Sequence, residues 1–171
     1  MIYFDIKLGG DTVQLWETFS GEILMTFLIS MIPVVELRGA IPIATAHGLD
    51  LRFAIIAAII GNLVPVPFII IFIRRIFAWL RRKIPRLNGL VTKLEARAEA
   101  KSELVQRYSF IGLAVLVAIP LPGTGAWTGA LVAAMLNMRL KRALPAIALG
   151  VIAAALIVAF ISYGAGALLA G

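Results

Sequence analysis

The chain has 171 residues, 61% of them hydrophobic, with a formal charge of +7, one histidine and no cysteine. That apolar content exceeds the roughly 45–50% of soluble domains and indicates a membrane protein. Disulfides and thiolate chemistry are excluded, a lone histidine without an HExxH pattern speaks against zinc, and the absence of a glycine-rich phosphate loop argues against a nucleotide cofactor.

Residues 1–10 read as a loose lead ending in Gly9-Gly10, and Asp5, Asp11, Glu17 and Glu22 stand where a signal peptide would be basic. Asp11 or Thr12 is predicted to cap a helix beginning near Val13. Residues 23–35 are apolar but stop at Pro33 and Glu36. Thirteen helical residues reach only about 20 Å, too short for a hydrocarbon core of about 30 Å. Residues 40–47 resume the apolar pattern and end at His47-Gly48, a helix stop. Asp50 and Arg52 then mark a water interface, and residues 53–73 form an uncharged stretch long enough to span.

Residues 74–107 hold most of the basic side chains, among them Arg74, Arg75, Arg81, Arg82 and Lys83. This placement reads as an orientation signal rather than a nucleic-acid surface. Ile84–Gly89 is a turn, and residues 90–107 are predicted to form a polar surface helix. Residues 109–119 make a short apolar helix that the crowded string Pro120-Leu121-Pro122-Gly123-Thr124-Gly125 cannot continue. Residues 126–136 resume, Asn137, Arg139, Lys141 and Arg142 mark an interface, and Pro145 suits the first turn of a final uncharged span over residues 143–171.

A shift of 87 positions places Pro33 on Pro120 and Asp50-Leu51-Arg52 on Asn137-Met138-Arg139. Paired interrupted segments are the sequence pointer to a transport site. Two topologies fit: four spans, of which residues 23–47 and 109–136 are kinked, or two spans with two re-entrant hairpins. The second keeps Arg139, Lys141 and Arg142 on the cytoplasmic side with the basic connection, as positively charged residues prefer. The expected fold is therefore an all-α integral membrane protein built as one domain over residues 1–171. It comprises two inverted repeats (about 22–73 and 108–168), each a re-entrant helical hairpin followed by a transmembrane helix, joined by a basic cytoplasmic connection (74–107).

Irregular backbone at membrane depth must be buried in protein or line a wet cavity, so the two hairpin tips are expected to meet. Thr124 is placed to cap one resumed half-helix and Pro42 to start the other. Glu36 and Arg38 are two apart, and an extended backbone between Pro33 and Gly39 would point both side chains the same way. Ionisable residues at this depth are functional candidates, with Glu36 able to exchange a proton; the alternative is a structural ion pair that neutralises helix ends. The candidate substrate or proton site is Glu36, Arg38, Gly39, Pro33, Pro42, Pro120, Pro122, Gly123, Thr124 and Gly125. His47, Asn62 and Trp127 are secondary candidates. His47 is more simply a helix cap facing water, Asn62 a bridge between helices, and the glycines a matter of backbone geometry and close approach.

The string Pro33-Val34-Val35-Glu36-Leu37-Arg38-Gly39-Ala40-Ile41-Pro42, with Pro120-Leu121-Pro122-Gly123-Thr124-Gly125-Ala126-Trp127-Thr128-Gly129, resembles the signature of the small multidrug export protein family of prokaryotes. The resemblance runs from about residue 23 to 165, and that family is distantly similar to the DedA superfamily. It implies two re-entrant hairpins in a multi-pass protein of the cytoplasmic membrane, with membrane lipids as partners. It also implies a proton-linked transporter or flippase of a lipid-like or amphiphilic substrate of the polyprenyl-phosphate or phospholipid class. Here Gly123, Thr124 and Gly125 stand where DedA proteins carry arginines, so Arg38 would serve a phosphate largely alone. Export of small cationic drugs and a non-transporting scaffold are the alternatives. An enzyme is not expected, since no nucleophile–base pair is visible, and a homo-oligomer is compatible with the sequence.

Overall fold

Helix breaks at proline and left-handed residues organise this chain. The computed structural model describes residues 5–8, 11–14, 16, 18–121 and 124–164. The chain divides into two compact units, Met1–Asn62 with Ala155–Gly171, and Leu63–Ala154.

In the first unit, β1 (Asp5–Leu8) pairs antiparallel with β2 (Asp11–Gln14), Asp5 opposite Gln14 and Leu8 opposite Asp11. The helix expected from Val13 is thus replaced by a hairpin. Helix α1 (Phe19–Met31) starts later, where Thr18 Oγ1 accepts the Gly21 N–H at 3.3 Å. It stops because Ile32 precedes a proline and takes an extended conformation, φ −71° and ψ 128°. After a turn at 33–35, α2 (Glu36–Ala46) begins four residues earlier than expected, so Pro42 lies inside it. Gly48, at φ 103°, closes α2: its N–H bonds to Thr45 O, and that of Leu49 to Ala44 O. Asp50 then caps α3 (Leu51–Leu63), its Oδ1 accepting the Arg52 N–H at 2.8 Å. Helix α3 lies so close to α1 that a Cβ on Gly61 would strike the Phe27 carbonyl and Ser30 Oγ.

In the second unit, α4 (Pro65–Lys83) carries Pro65 at its first position, where no N–H is needed. A 3-10 turn (Pro85–Leu87) leads to α5 (Asn88–Ala100), tied back by an Arg81–Glu95 ion pair. The surface helix is shorter than expected, because α6 (Ser102–Ala118) takes over and kinks at Ser109, φ 52° and ψ −112°. Ile119 ends α6 as Ile32 ends α1, extended before a proline, at φ −68° and ψ 118°. Helix α7 (Ala126–Met135) follows and packs on α4, α5 and α6. The last helix, α8 (Leu140–Ala159), begins before its anticipated start, which puts Pro145 inside it rather than in the first turn. A π-turn, Phe160–Gly164, completes the described chain.

Two helical runs are long and apolar enough to cross a membrane, Leu51–Lys83 with 33 residues and Leu140–Tyr163 with 24. Their exposed side chains include Ile56, Ile60, Phe68, Ile71, Leu149 and Leu156, an apolar exterior suited to lipid.

The halves share their backbone, with a slip. Met31 and Ala118, the last residues of α1 and α6, stand 87 apart, as do the two prolines that follow. Past the tips the offset becomes 89. Asn137, at φ 53°, closes α7 as Gly48 closes α2, with bonds from Asn137 N to Ala134 O and from Met138 N to Ala133 O. Ala143 N bonds to Arg139 O as Ala54 N bonds to Asp50 O. Asp50 therefore corresponds to Arg139, correcting the sequence match of Asp50 to Asn137. The glycine contacts record both offsets. A Cβ on Gly150 would meet the Ala114 carbonyl and Val117 Cβ, both at 2.6 Å, and these are the counterparts of Phe27 and Ser30. Two extra residues in the second tip account for the difference.

Candidate functional site

The first tip comprises Pro33, Val34, Val35 and Glu36. Val34 has φ 80° and is 93% exposed, and Glu36 has φ 49°. Two side-chain-bearing residues in the left-handed region within three positions store strain of about 1–3 kcal/mol each. Glu36 N still donates to Ile32 O at 3.0 Å, which ties α2 to the end of α1.

The consequence is placement. Glu36 is 4% exposed, a carboxylate at the first residue of α2, where the positive end of the helix favours it. Arg38 Nη1 lies 3.5 Å from Glu36 Oε2. The pairing expected from their spacing is present, but the backbone after Glu36 is helical rather than extended. On a regular helix residues two apart diverge by about 200°; the left-handed turn at Glu36 brings its side chain to the arginine. Gly39 fits closely nearby: a Cβ there would lie 2.6 Å from Val35 Cγ1, so Val35 would have to shift.

An apolar cavity of about 370 Å³ opens between α1 and α2, lined by Met25, Ile29, Ile32, Val35, Ile43 and, at its end, Trp16 stacked on His47 with ring centroids 4.1 Å apart. His47 is the last residue of the α2 cap, exposed, with Nδ1 2.9 Å from the Ile43 carbonyl. This is the capping role its sequence context suggested.

The second tip, Ile119–Gly125, differs chemically. Pro120 is half-buried, and Pro122 and Gly123 lie outside the described residues. Thr124 does not cap α7. Its Oγ1 sits 2.7 Å from Ile119 O and 2.8 Å from Leu121 O, so the hydroxyl fastens the tip to itself. Gly125, at φ 139°, takes the position before α7 without a side-chain cap. Trp127 is half-buried on α7. Pro42 and Thr124 thus fall away as helix-start residues, while Pro33 and Pro120 stand at the matched breaks.

Asn62 did not become the expected bridge. It is 1% exposed, and both atoms of its amide lack a hydrogen-bond partner among the described residues. A buried unsatisfied amide costs about 1–3 kcal/mol, so its retention calls for a reason. Among the described residues, no group of three or more histidine, cysteine or acidic side chains could hold a metal.

Comparison with curated proteins and with solved structures returned no match. A family model described as "Putative small multi-drug export protein" matches residues 36–157, beginning at Glu36 and covering well over half of the chain. With its two long apolar runs, this membrane chain belongs to the small multi-drug export protein family.

Proposed function

We propose that the chain is a proton-linked membrane transporter of amphiphilic molecules, with Glu36 exchanging the proton and Arg38 as its charge partner. One observation carries this reading: a buried carboxylate held by strained backbone at a helix break, between two apolar helices of a membrane chain. Such acids are costly in a membrane and mark ion or substrate paths. Protonation of Glu36 would release Arg38, a change that substrate binding in the neighbouring cavity could sense.

In this reading the chain makes two spans and two re-entrant hairpins in the cytoplasmic membrane of a prokaryote. Helix lengths support it, since α1 with 13 residues and α7 with 10 reach about 20 Å and 15 Å. Hairpin ends support it too. Trp16, before α1, stacks on His47, after α2. Ser109, at the start of the apolar part of α6, lines one cavity with Asn137, after α7. Arg74, in the basic connection, hydrogen-bonds Asn137 Oδ1. Arg139, Lys141 and Arg142 stand where the first half has Asp50, Arg52 and Phe53, and this Lys/Arg bias supports halves of inverted orientation.

The substrate class favoured is lipid-like, because the cavity beside the first tip is apolar and of a size for an acyl or isoprenoid segment. A second reading, export of cationic drugs, draws on the family description and on Glu36 as a carboxylate that could alternate between proton and cation. Transport in proteoliposomes across a pH gradient tests the proposal. Glu36→Gln should abolish the pH dependence while the protein remains folded; unchanged transport at every pH would refute the proton role. Competition between a lipophilic cation and a polyprenyl phosphate separates the substrate classes.

A further inference from the structure

The second unit contains a cavity that the transport reading does not use. It has a volume of about 370 Å³ and is lined by Ser109, Asn137, Met138, Arg139 and Arg142. Two arginines, a serine and an asparagine therefore border one space, and among the described residues no acidic residue lines it. A third arginine, Arg74, donates to Asn137 Oδ1. That bond engages the amide oxygen, and the other end of the amide, Asn137 Nδ2, is a donor. The set is thus donor-rich and cationic.

Backbone geometry builds this cavity at both rims. Ser109 holds φ 52° and ψ −112°, a kink in α6 made without glycine or proline, and Asn137 holds φ 53°. Asn137 takes the conformation of an ordinary helix cap, whereas the strain at Ser109 is of a kind that persists where the surroundings over-determine it and clusters at ligand sites. Arginine forks match the paired oxygens of a phosphate, and serine and asparagine can complete its shell. Basic pockets at the cytoplasmic ends of membrane helices are where anionic headgroups are held.

We infer that this cavity, lined by Arg139, Arg142, Ser109 and Asn137, is a phosphate-binding site, occupied by the phosphate of an anionic lipid headgroup or of a soluble phosphate ester. It is separate in kind from the Glu36–Arg38 pair, which has its own carboxylate. The inference stands whether or not Glu36 exchanges a proton.

The test uses the full chain in a neutral detergent. Binding of phosphatidylglycerol is followed by native mass spectrometry, and binding of inorganic phosphate by phosphorus NMR line broadening. The Arg139→Gln/Arg142→Gln variant is compared with Arg82→Gln/Lys83→Gln, which removes equal charge elsewhere from exposed side chains. The first pair should weaken binding about tenfold or more, the worth of one charge-assisted hydrogen bond, and the second pair less than about twofold. Loss of phosphatidylglycerol alone assigns a lipid headgroup, and loss of inorganic phosphate as well assigns phosphate recognition without a lipid requirement. No binding of either probe to the unmodified protein, or equal weakening by both pairs, overturns the site. Should the double variant fold poorly by thermal melting, Arg142→Gln alone, on an exposed arginine, carries the same comparison.

Discussion

Glu36 and Gly125 hold corresponding places in the two halves: each has a positive φ, 49° and 139°, where the second leg of a hairpin starts, Glu36 as the first residue of α2 and Gly125 as the residue before α7. Glycine takes this conformation without penalty, whereas glutamate does so only under strain. The first half therefore retains a carboxylate where its counterpart uses the residue the backbone prefers. Glu36→Gly relieves the backbone strain but removes the carboxylate beside the largely buried Arg38, so its melting temperature in detergent should fall, Glu36→Gly/Arg38→Leu should recover part of the loss, and transport should be lost in both. Retained transport would reduce Glu36 to a structural residue.

The two close helix approaches make opposite predictions from a third glycine. Gly61→Ala and Gly150→Ala each force a methyl onto a backbone carbonyl, of Phe27 and Ala114, which cannot swing aside as a side chain can. Each should cost about 1–3 kcal/mol or more. Gly89→Ala, in the first turn of α5 with open space around it, should gain a few tenths to about 1 kcal/mol from helix propensity. Thermal melting of the three variants in one detergent checks the order.

At the offset of 89, Arg52 corresponds to Lys141, and both are exposed just inside the start of a long apolar run. Single cysteines there are clean probes, since the chain has no other. A charged thiol reagent should reach Arg52→Cys from outside and Lys141→Cys from the cytoplasm. Labelling of both from one side would mean four plain spans and would remove the inverted repeat.

Asn62→Leu replaces a buried, unsatisfied amide with an apolar side chain of similar volume. Stability should rise by about 1 kcal/mol or more. If the amide serves a passing substrate, transport should fall in the same variant, and the split between melting temperature and uptake reads the two effects separately.

Much of this was legible beforehand. Pro33 and Pro120 announced the breaks, because the residue before a proline leaves the helical region whatever its neighbours. The nearness of Glu36 and Arg38 was also legible, although for the wrong local reason: extended backbone was expected, and a left-handed first residue followed by helix was found. The register slip was hidden because equivalent residues look unlike. Gly48 pairs with Asn137 through their cap hydrogen bonds, and Glu36 with Gly125 through a positive φ at the break, not through side-chain chemistry. The Ser109 kink has no glycine or proline to signal it, and it arises from tertiary packing. The β1–β2 hairpin carries a sequence signal, two short alternating runs separated by Gly9-Gly10, in competition with the helix-capping residues Asp11 and Thr12.

The division of the chain into units falls inside helices, at the end of α3 and within α8, rather than in loops. A scission in the Ile84–Gly89 turn would leave each fragment holding a piece of both units. Neither fragment could then complete a fold by itself, and co-expressed fragments should reassociate or be degraded together. The molecule is in this sense indivisible along its sequence, although its halves are built to one plan.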